Sequence, residues 1–402
     1  MSPDATVIVM VGLPARGKTY TARKLARYLQ WQGYAARVFN VGNYRRMRLG
    51  SNQPAAFFDP TNADGVSARR AMAEAALNDV FAWLQNDGQI AIYDATNATR
   101  ARREWVRIQC EAMGVRVVFV ESICHDQSII ESNILETKLL SPDYIGADPG
   151  TAVDDFRARI RFYERSYEPI ADDNLSYVKL IDAGRQVVAN RIQGFLLGRL
   201  VNYLMNLHIA PRTIWLTRHG ESDFNSRGLI GGDSALSEAG RAYAKALAEF
   251  LPGQITTSTP TVWTSTLQRT LETARGLPWE SLPLRALDEI DAGTCDGLSY
   301  GEIAERFPAE YAARQADKLR YRYPRGESYL DVIDRLNPVI VNLERKRKPL
   351  VIIAHQAVLR ALYAYLADRT PEECVRLEIP LHTVIKLIPK AYGVEESRYR
   401  LI

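Results

Sequence analysis

Two groups of residues in this sequence have the types and spacing that phosphate chemistry requires. Gly12-Leu13-Pro14-Ala15-Arg16-Gly17-Lys18-Thr19 has the glycine spacing that lets backbone N–H groups close around a β-phosphate. In such a loop the lysine neutralises the β/γ oxygens and the threonine hydroxyl ligates Mg²⁺. The apolar run Ile90-Ala91-Ile92-Tyr93 ends in Asp94, a carboxylate placed as a P-loop metal needs it, although a strand-end cap is an alternative reading. Far downstream, Arg218-His219-Gly220-Glu221 follows one apolar run and Ile353-Ala354-His355-Gln356 closes another. A neutral imidazole held through its other nitrogen attacks phosphorus, and neighbouring arginines carry the phosphoryl charge in the transition state. One histidine at a strand end is more often structural; two, each with an arginine nearby, point to phosphoryl transfer. His125, His208 and His382 read as structural.

Further basic groups lie on the edge where the first ligand would bind. Thr96 and Arg102 follow the Asp94 strand closely and read as substrate contacts, whereas Arg103 and Arg107 read as a solvated helix face. Arg45-Arg46 comes just after a second strand and Arg69-Arg70 opens a helix; one member of each pair reads as a surface residue.

The elements that must carry these residues alternate strand and helix. In the first half, strands are expected at 6–11, 36–41, 90–95, 115–123 and 177–182, with helices at 18–32, 67–85, 100–112 and 154–163. That alternation predicts a mostly parallel, doubly wound sheet whose ligands bind beyond the carboxyl ends of the strands. A helical segment at 188–205 leads to a second series: strands at 213–217, 261–263, 350–354 and 383–388, helices at 237–251, 267–275 and 357–366. The chain is therefore expected to be α/β with two domains, 1–208 and 209–402.

Composition sets the outer bounds. At 402 residues the chain exceeds one ordinary core, and a formal charge of +4 gives no case for nonspecific binding to nucleic acid or a membrane. Cys110, Cys124, Cys295 and Cys374 are scattered, with no CxxC pair, which excludes a zinc ribbon and disfavours a disulfide framework. No leader-like N-terminus or apolar run of membrane length is present, so the cytoplasm is the expected compartment.

The segments GLPARGKTY, FNVGNYRR, YDATNATR, ESICHDQSIIESNI and SPDYIG closely resemble the kinase half of the 6-phosphofructo-2-kinase/fructose-2,6-bisphosphatase family. LTRHGESDFNSRGLIGGDSALS, VWTSTLQRT, LDEIDAGTCDGLSYGEI, RYRYPRGESY, AHQAVLRALYAYL and PLHTVIKL resemble its bisphosphatase half, which belongs to the histidine phosphatase superfamily. The resemblance implies an N-terminal P-loop kinase and a C-terminal, phosphoglycerate mutase-like α/β domain. It implies ATP on Gly12–Tyr20 (through Leu13, Pro14, Ala15, Arg16, Gly17, Lys18 and Thr19), with Asn133, Lys138 and Tyr392, and Mg²⁺ on Thr19 and Asp94. Lys18, Asp94 and Cys124 would serve the kinase reaction, although Cys124 alone reads equally as a buried strand-end thiol. Fructose 6-phosphate would be held by Arg45, Arg69, Thr96, Arg102, Lys138, Arg159 and Tyr163.

In the second half the resemblance makes His219 the phosphorylated nucleophile, with Arg218, Arg269 and His355 around the phosphate and Glu289 protonating the leaving oxygen. Asn225 and Gly231 would lie near the reacting phosphate, and Tyr300, Arg314, Lys318, Tyr329, Gln356 and Arg360 would hold the sugar and its 6-phosphate. Without it, Arg314 and Lys318 would read as part of an exposed basic stretch. A homodimer is implied as well. Departures from the family pattern are mild: Thr217, Ala354 and Ala98 replace two cysteines and a threonine. The regulatory tails of animal members have no counterpart in the sequence, so control through them is expected to be absent. A polynucleotide kinase–phosphatase would need an extended basic groove and stacking aromatics, and a sensor with dead sites would lack catalytic residues that this chain retains.

Overall fold

The computed structural model describes residues 5–402 apart from 52, 136–142, 145–147, 183, 209–211 and 391–392. These fall into two compact units, Met1–Ile209 and Ala210–Ile402.

In the first unit β1 (Thr6–Val11) is buried along its whole length, as befits a strand flanked by strands and covered on both faces. The P-loop follows and opens α1 (Lys18–Trp31), with Gly17 in the left-handed region at φ 78°. Next come β2 (Ala36–Asn40), α2 (Val41–Leu49), a 3₁₀ turn at Ala55–Phe58, α3 (Ala63–Gln85), β3 (Ile90–Asp94), α4 (Arg100–Ala112), β4 (Arg116–Ile123), α5 (Gln127–Asn133), α6 (Pro149–Glu164), β5 (Tyr177–Ile181), β6 (Gln186–Asn190) and α7 (Phe195–Asn206). The sheet order is β2-β3-β1-β4-β5-β6, parallel except for the antiparallel β5–β6 pair. Its register sets Asn40 beside Asp94 and Val11 beside Glu121, so β1, β2, β3 and β4 all end along one edge.

The second unit runs β7 (Ile214–Arg218), α8 (Asp223–Ser226), α9 (Glu238–Gln254), β8 (Thr261–Thr264), α10 (Gln268–Ala274), β9 (Ser281–Pro283), α11 (Tyr300–Arg306), α12 (Pro308–Ala316), α13 (Tyr329–Arg335), α14 (Asn337–Arg345), β10 (Leu350–Ala354), α15 (Gln356–Leu366), α16 (Pro371–Cys374), β11 (Thr383–Lys390) and β12 (Gly393–Arg400). The order is β12-β11-β7-β10-β8-β9, with β11 antiparallel to both neighbours. Ala354 of β10 lies opposite Arg218 of β7, so the two strands deliver their histidines side by side.

The two-domain α/β expectation holds, and several elements differ from it. The expected helix at 188–205 begins late: residues to Asn190 are strand, paired antiparallel with β5, and the helix starts only after Gly194 at φ 92°, running over Phe195–Asn206. The strand expected at 36–41 stops at Asn40, whose side chain caps α2 by accepting from the Asn43 N–H. Asn62 and Asp148 cap α3 and α6 earlier than the apolar pattern shows. Arg103 is not solvated: it is buried and donates to the Asn97 and Ala98 carbonyls at 3.1 and 3.0 Å. Arg107 does lie on the outer face, paired with Glu104 and Glu111.

Candidate active sites

Three left-handed residues, Gly12 (φ 136°), Ala15 (φ 59°) and Gly17 (φ 78°), fold the loop after β1. Such turns aim successive N–H groups into one concavity, and the amino end of α1 adds its dipole. Gly12 admits no side chain, since a Cβ there would lie 2.4 Å from the Ser122 carbonyl oxygen. Lys18 donates to the Leu13 carbonyl at 2.6 Å, Ser122 Oγ donates to the Arg16 carbonyl, and Asn133 Nδ2 donates to the Ala15 carbonyl at 3.1 Å. Arg16 reaches the Pro14 carbonyl at 3.2 Å, and Tyr20 donates to the His208 carbonyl at 3.3 Å. Asp94 is buried at the end of β3 and accepts from Asn40 Nδ2. Leu13, Pro14 and Thr19 are half-buried on the loop and the first turn of α1.

A second set gathers on the ring of Phe58. The guanidinium carbons of Arg159, Arg45 and Arg69 lie 3.5, 5.5 and 6.0 Å from its centroid, and the Tyr163 ring lies 6.0 Å away. Arg45 grips Asp143 at 2.6 and 2.5 Å, with Arg46 at 3.3 Å and Arg159 at 3.7 Å from the same carboxylate. The three guanidinium groups hold the Asp143 carboxyl below its ordinary range against the opposing effect of burial. Arg69 also donates to the Phe57 carbonyl, while Arg70 lies outside and pairs with Glu74.

Arg102 stacks at 4.6 Å over Trp105, and burial lowers its affinity for its proton. The Thr96 carbonyl accepts the Gly12 N–H at 3.0 Å, tying the segment after β3 to the P-loop. Cys124 is buried just past β4 in an apolar cluster with Ala15, and burial raises its pKa. Lys138 and Tyr392 lie outside the described residues. Phe58 and the ion-pairing role of Asp143 have no local signal in the sequence, because both act through chain segments distant in sequence.

In the second unit His219 Nδ1 lies 2.7 Å from the Gly220 carbonyl, and Nε2 lies 3.2 Å from Arg269 Nε. A carbonyl only accepts and a guanidinium only donates, so the hydrogen is on Nδ1 and the Nε2 lone pair is turned to the Arg269 N–H. Burial, then the charges of Arg269 and Arg218, depress the His219 pKa well below 6.5 and keep the ring neutral. Burial brings Arg218 down to about 10 and lowers Arg269 too, with Glu289 opposing both shifts. Arg218 donates to the Ile379 carbonyl at 3.3 Å and Arg269 to the Gly232 carbonyl at 2.6 Å. The His355 ring lies 5.0 Å from that of His219. Glu289 accepts backbone N–H groups from Ile290 and Ala357 on one oxygen and from Gln356 on the other, at 2.9, 3.2 and 3.1 Å.

Asn225 accepts from the Ser222 N–H at 3.2 Å in a capping box, and Gly231 sits at φ 72° where a Cβ would strike Asp296. Arg314 donates to the Tyr300 hydroxyl at 2.8 Å, and Arg360 donates to the Tyr329 hydroxyl at 3.1 Å and the Leu377 carbonyl at 2.6 Å. Lys318 lies 5.8 Å over the Tyr329 ring and donates to the Val375 carbonyl at 3.2 Å. Burial, then Arg360 and Arg314, lower its pKa to about 8. Arg314 and Lys318 thus belong to a converging cationic wall rather than to an open basic stretch. Tyr323, 5.8 Å from Arg314, and Ser265 beside His355 join the site without any local signal in the sequence.

A phosphate-cradling loop on one parallel sheet and paired strand-end histidines on another define a kinase joined to a histidine phosphatase. Residues 1–211 match the 6-phosphofructo-2-kinase family and residues 214–401 the histidine phosphatase superfamily, branch 1. The chain is 51% identical to a 6-phosphofructo-2-kinase/fructose-2,6-bisphosphatase of Arabidopsis thaliana over 98% of its own length and 54% of that protein's, about half of the relative. Identity is also 51% to the protein of the same name from Gallus gallus, over 97% of this chain and 83% of that one. An alpha-ribazole phosphatase of Shigella flexneri is a structural neighbour at 22% identity and a TM-score of 0.43, over 47% of this chain and 96% of that one. The chain belongs to the bifunctional 6-phosphofructo-2-kinase/fructose-2,6-bisphosphatase family, and its kinase half uses ATP. Among the described residues no helix is long and apolar enough to cross a membrane.

Proposed function

We propose that residues 1–208 form the domain that transfers the ATP γ-phosphoryl group to the 2-hydroxyl of fructose 6-phosphate. Residues 209–402 then remove that phosphate from fructose 2,6-bisphosphate through a phosphohistidine at His219. The P-loop would hold the nucleotide phosphates, with Lys18 swinging from the Leu13 carbonyl to the β/γ oxygens. Arg45, Arg69, Arg159 and Tyr163 around Phe58, with Thr96 and Arg102, would hold the sugar phosphate. A loose phosphoryl-transfer transition state asks mainly for this positioning and charge neutralisation.

Thr19 and Asp94 are the proposed Mg²⁺ ligands, both hard oxygen donors of the kind this ion takes. Among the described residues no cluster of three His, Cys, Asp or Glu side chains gathers. An ion held by one or two protein oxygens plus substrate phosphates needs no such cluster. When bound, the ion would neutralise phosphate charge.

For the phosphatase half, the observation that carries the reading is the His219 tautomer: Nδ1–H held by Gly220 and the Nε2 lone pair accepting from Arg269 Nε. Nε2 attacks phosphorus, the bond to the sugar 2-oxygen breaks, and Glu289 supplies that oxygen's proton. Arg218, Arg269 and His355 surround the transferred group, and water then cleaves the N–P bond. Tyr300, Arg314, Lys318, Tyr329, Gln356 and Arg360 would take the sugar and its 6-phosphate. The proposed assembly is a homodimer of the 45.3 kDa chain, acting in the cytoplasm, and sedimentation at a single mass of one chain would sink the dimer.

Phosphate-transfer assays test the two activities. The enzyme should make fructose 2,6-bisphosphate from ATP and fructose 6-phosphate in the presence of Mg²⁺. It should also release the 2-phosphate from fructose 2,6-bisphosphate, and a base quench should trap an acid-labile phosphoprotein. Failure to label the protein would point to direct attack by water.

A further inference from the structure

The proposed acid, Glu289, stands on a stretch of chain with no ladder of its own. It lies between 3₁₀ turns at Arg285–Leu287 and Gly293–Cys295, outside any helix or strand. Carbonyls there need partners from elsewhere, and a proton donor there is only as well placed as those partners make it. One side chain supplies them. Arg335, the last residue of α13, donates through Nη1 to the Ala286 carbonyl at 2.6 Å. Through Nη2 it donates to the Asp288 and Glu289 carbonyls at 2.7 and 3.3 Å.

The guanidinium is itself held. Nε and Nη2 donate to the two oxygens of Glu327 at 2.7 and 3.1 Å, a two-pronged ion pair in which each side chain is only 23% exposed. Glu327 also accepts the Asp291 N–H at 3.0 Å, and its own N–H donates to the Asp291 carbonyl at 2.9 Å. The pair thus grips the chain on both sides of Glu289, from Ala286 to Asp291. The Glu289 carboxyl is anchored separately, by the N–H groups of Ile290, Gln356 and Ala357. Neither Arg335 nor Glu327 has a part in the chemistry above.

We infer that Arg335, braced by Glu327, is a positioning residue of the phosphatase reaction, holding residues 286–291 so that the Glu289 carboxyl meets the departing sugar oxygen. A displacement of about 1 Å at a reacting group can cost on the order of a hundredfold in rate. The planar fork of a guanidinium reaches several carbonyls and a carboxylate at once, whereas a lysine ammonium has a single nitrogen and cannot span them. The inference rests on Glu289 as the proton donor.

The test is a double-mutant cycle in the full chain, read as the single-turnover rate of phosphohistidine formation from fructose 2,6-bisphosphate. Arg335→Lys keeps the charge and loses the fork; it should slow that step about tenfold, with KM for fructose 2,6-bisphosphate changed by less than about twofold. In the Glu289→Gln chain, which has no proton to place, adding Arg335→Lys should cost less than about twofold more. A full further loss in that background overturns the inference, because Arg335 would then act by a route other than Glu289. A wild-type rate in Arg335→Lys alone overturns it as well. Glu327→Gln, which removes the brace, should show a smaller loss that also disappears in the Glu289→Gln background, and it carries the cycle if Arg335→Lys does not fold. A wild-type rate in Glu289→Gln alone would sink the acid and this inference together.

Discussion

At His219 everything depends on which ring nitrogen is bare. Gly220 takes the Nδ1 hydrogen and Arg269 donates to Nε2, so the site holds the proposed nucleophile as a neutral imidazole against two guanidinium groups. His219→Ala should end phosphate release while the kinase half continues to make product, because the Nε2 lone pair that would take the phosphoryl group is lost. Label that persists on His219→Ala would place the covalent bond elsewhere. Glu289→Gln should slow formation of the phosphoprotein, since the leaving oxygen loses its proton donor while the nucleophile remains. Lys318 offers a different handle, with a pKa lowered to about 8. Its charged form binds a phosphate dianion, so KM for fructose 2,6-bisphosphate should be flat at neutral pH and rise as pH passes about 8. In Lys318→Arg, which keeps its charge, the rise should vanish; an identical profile in both would remove Lys318 from the 6-phosphate pocket.

At the scale of elements, the sequence disclosed strands that are apolar throughout and helices with one apolar face. β1, β3 and β10 are buried along their whole length, and such strands leave little ambiguity. The catalytic loops could be read because glycine spacing and RHGE-type segments are local. What escaped was set by tertiary contact. β6 looked helical because its apolar residues run on into α7, and only pairing with β5 makes it a strand. Arg103 looked solvated because nothing nearby in sequence announces the carbonyls of Asn97 and Ala98 as its partners. Phe58 became the hub of the proposed sugar site through α3, where Gly65 lets the helix approach the 3₁₀ turn: a Cβ there would lie 2.3 Å from the Phe57 carbonyl oxygen. Backbone must move to admit it, so Gly65→Ala should raise KM for fructose 6-phosphate about tenfold or more, with KM for ATP and the phosphatase rate little changed. An unaltered sugar KM would detach the Phe57–Phe58 turn from the site.

At the scale of the whole molecule, each unit would carry the groups of one proposed activity, phosphoryl transfer from ATP in the first and hydrolysis in the second. Lys18→Ala should therefore abolish the kinase and leave hydrolysis of fructose 2,6-bisphosphate near its wild-type rate. Joint loss of both activities would show that the halves do not work independently. The two units should also differ in their response to acid. His219 and His355 are buried neutral in the second unit, both with pKa values well below 6.5 because of burial and then the charge of Arg269. Unfolded, each imidazole takes up a proton near pH 6.5, so below that pH the unfolded state binds more protons and stability falls as pH falls. Above about pH 6.5 both states are neutral and the effect vanishes. The limiting slope is about 2.7 kcal/mol per pH unit for the pair, beyond what carboxylates contribute. Amide exchange in β7 and β10, corrected for intrinsic rate, should lose protection between about pH 6.5 and 5. The doubly substituted His219→Gln, His355→Gln chain should lose much less, and equal slopes in the two proteins would mean that the histidines are already charged in the folded state.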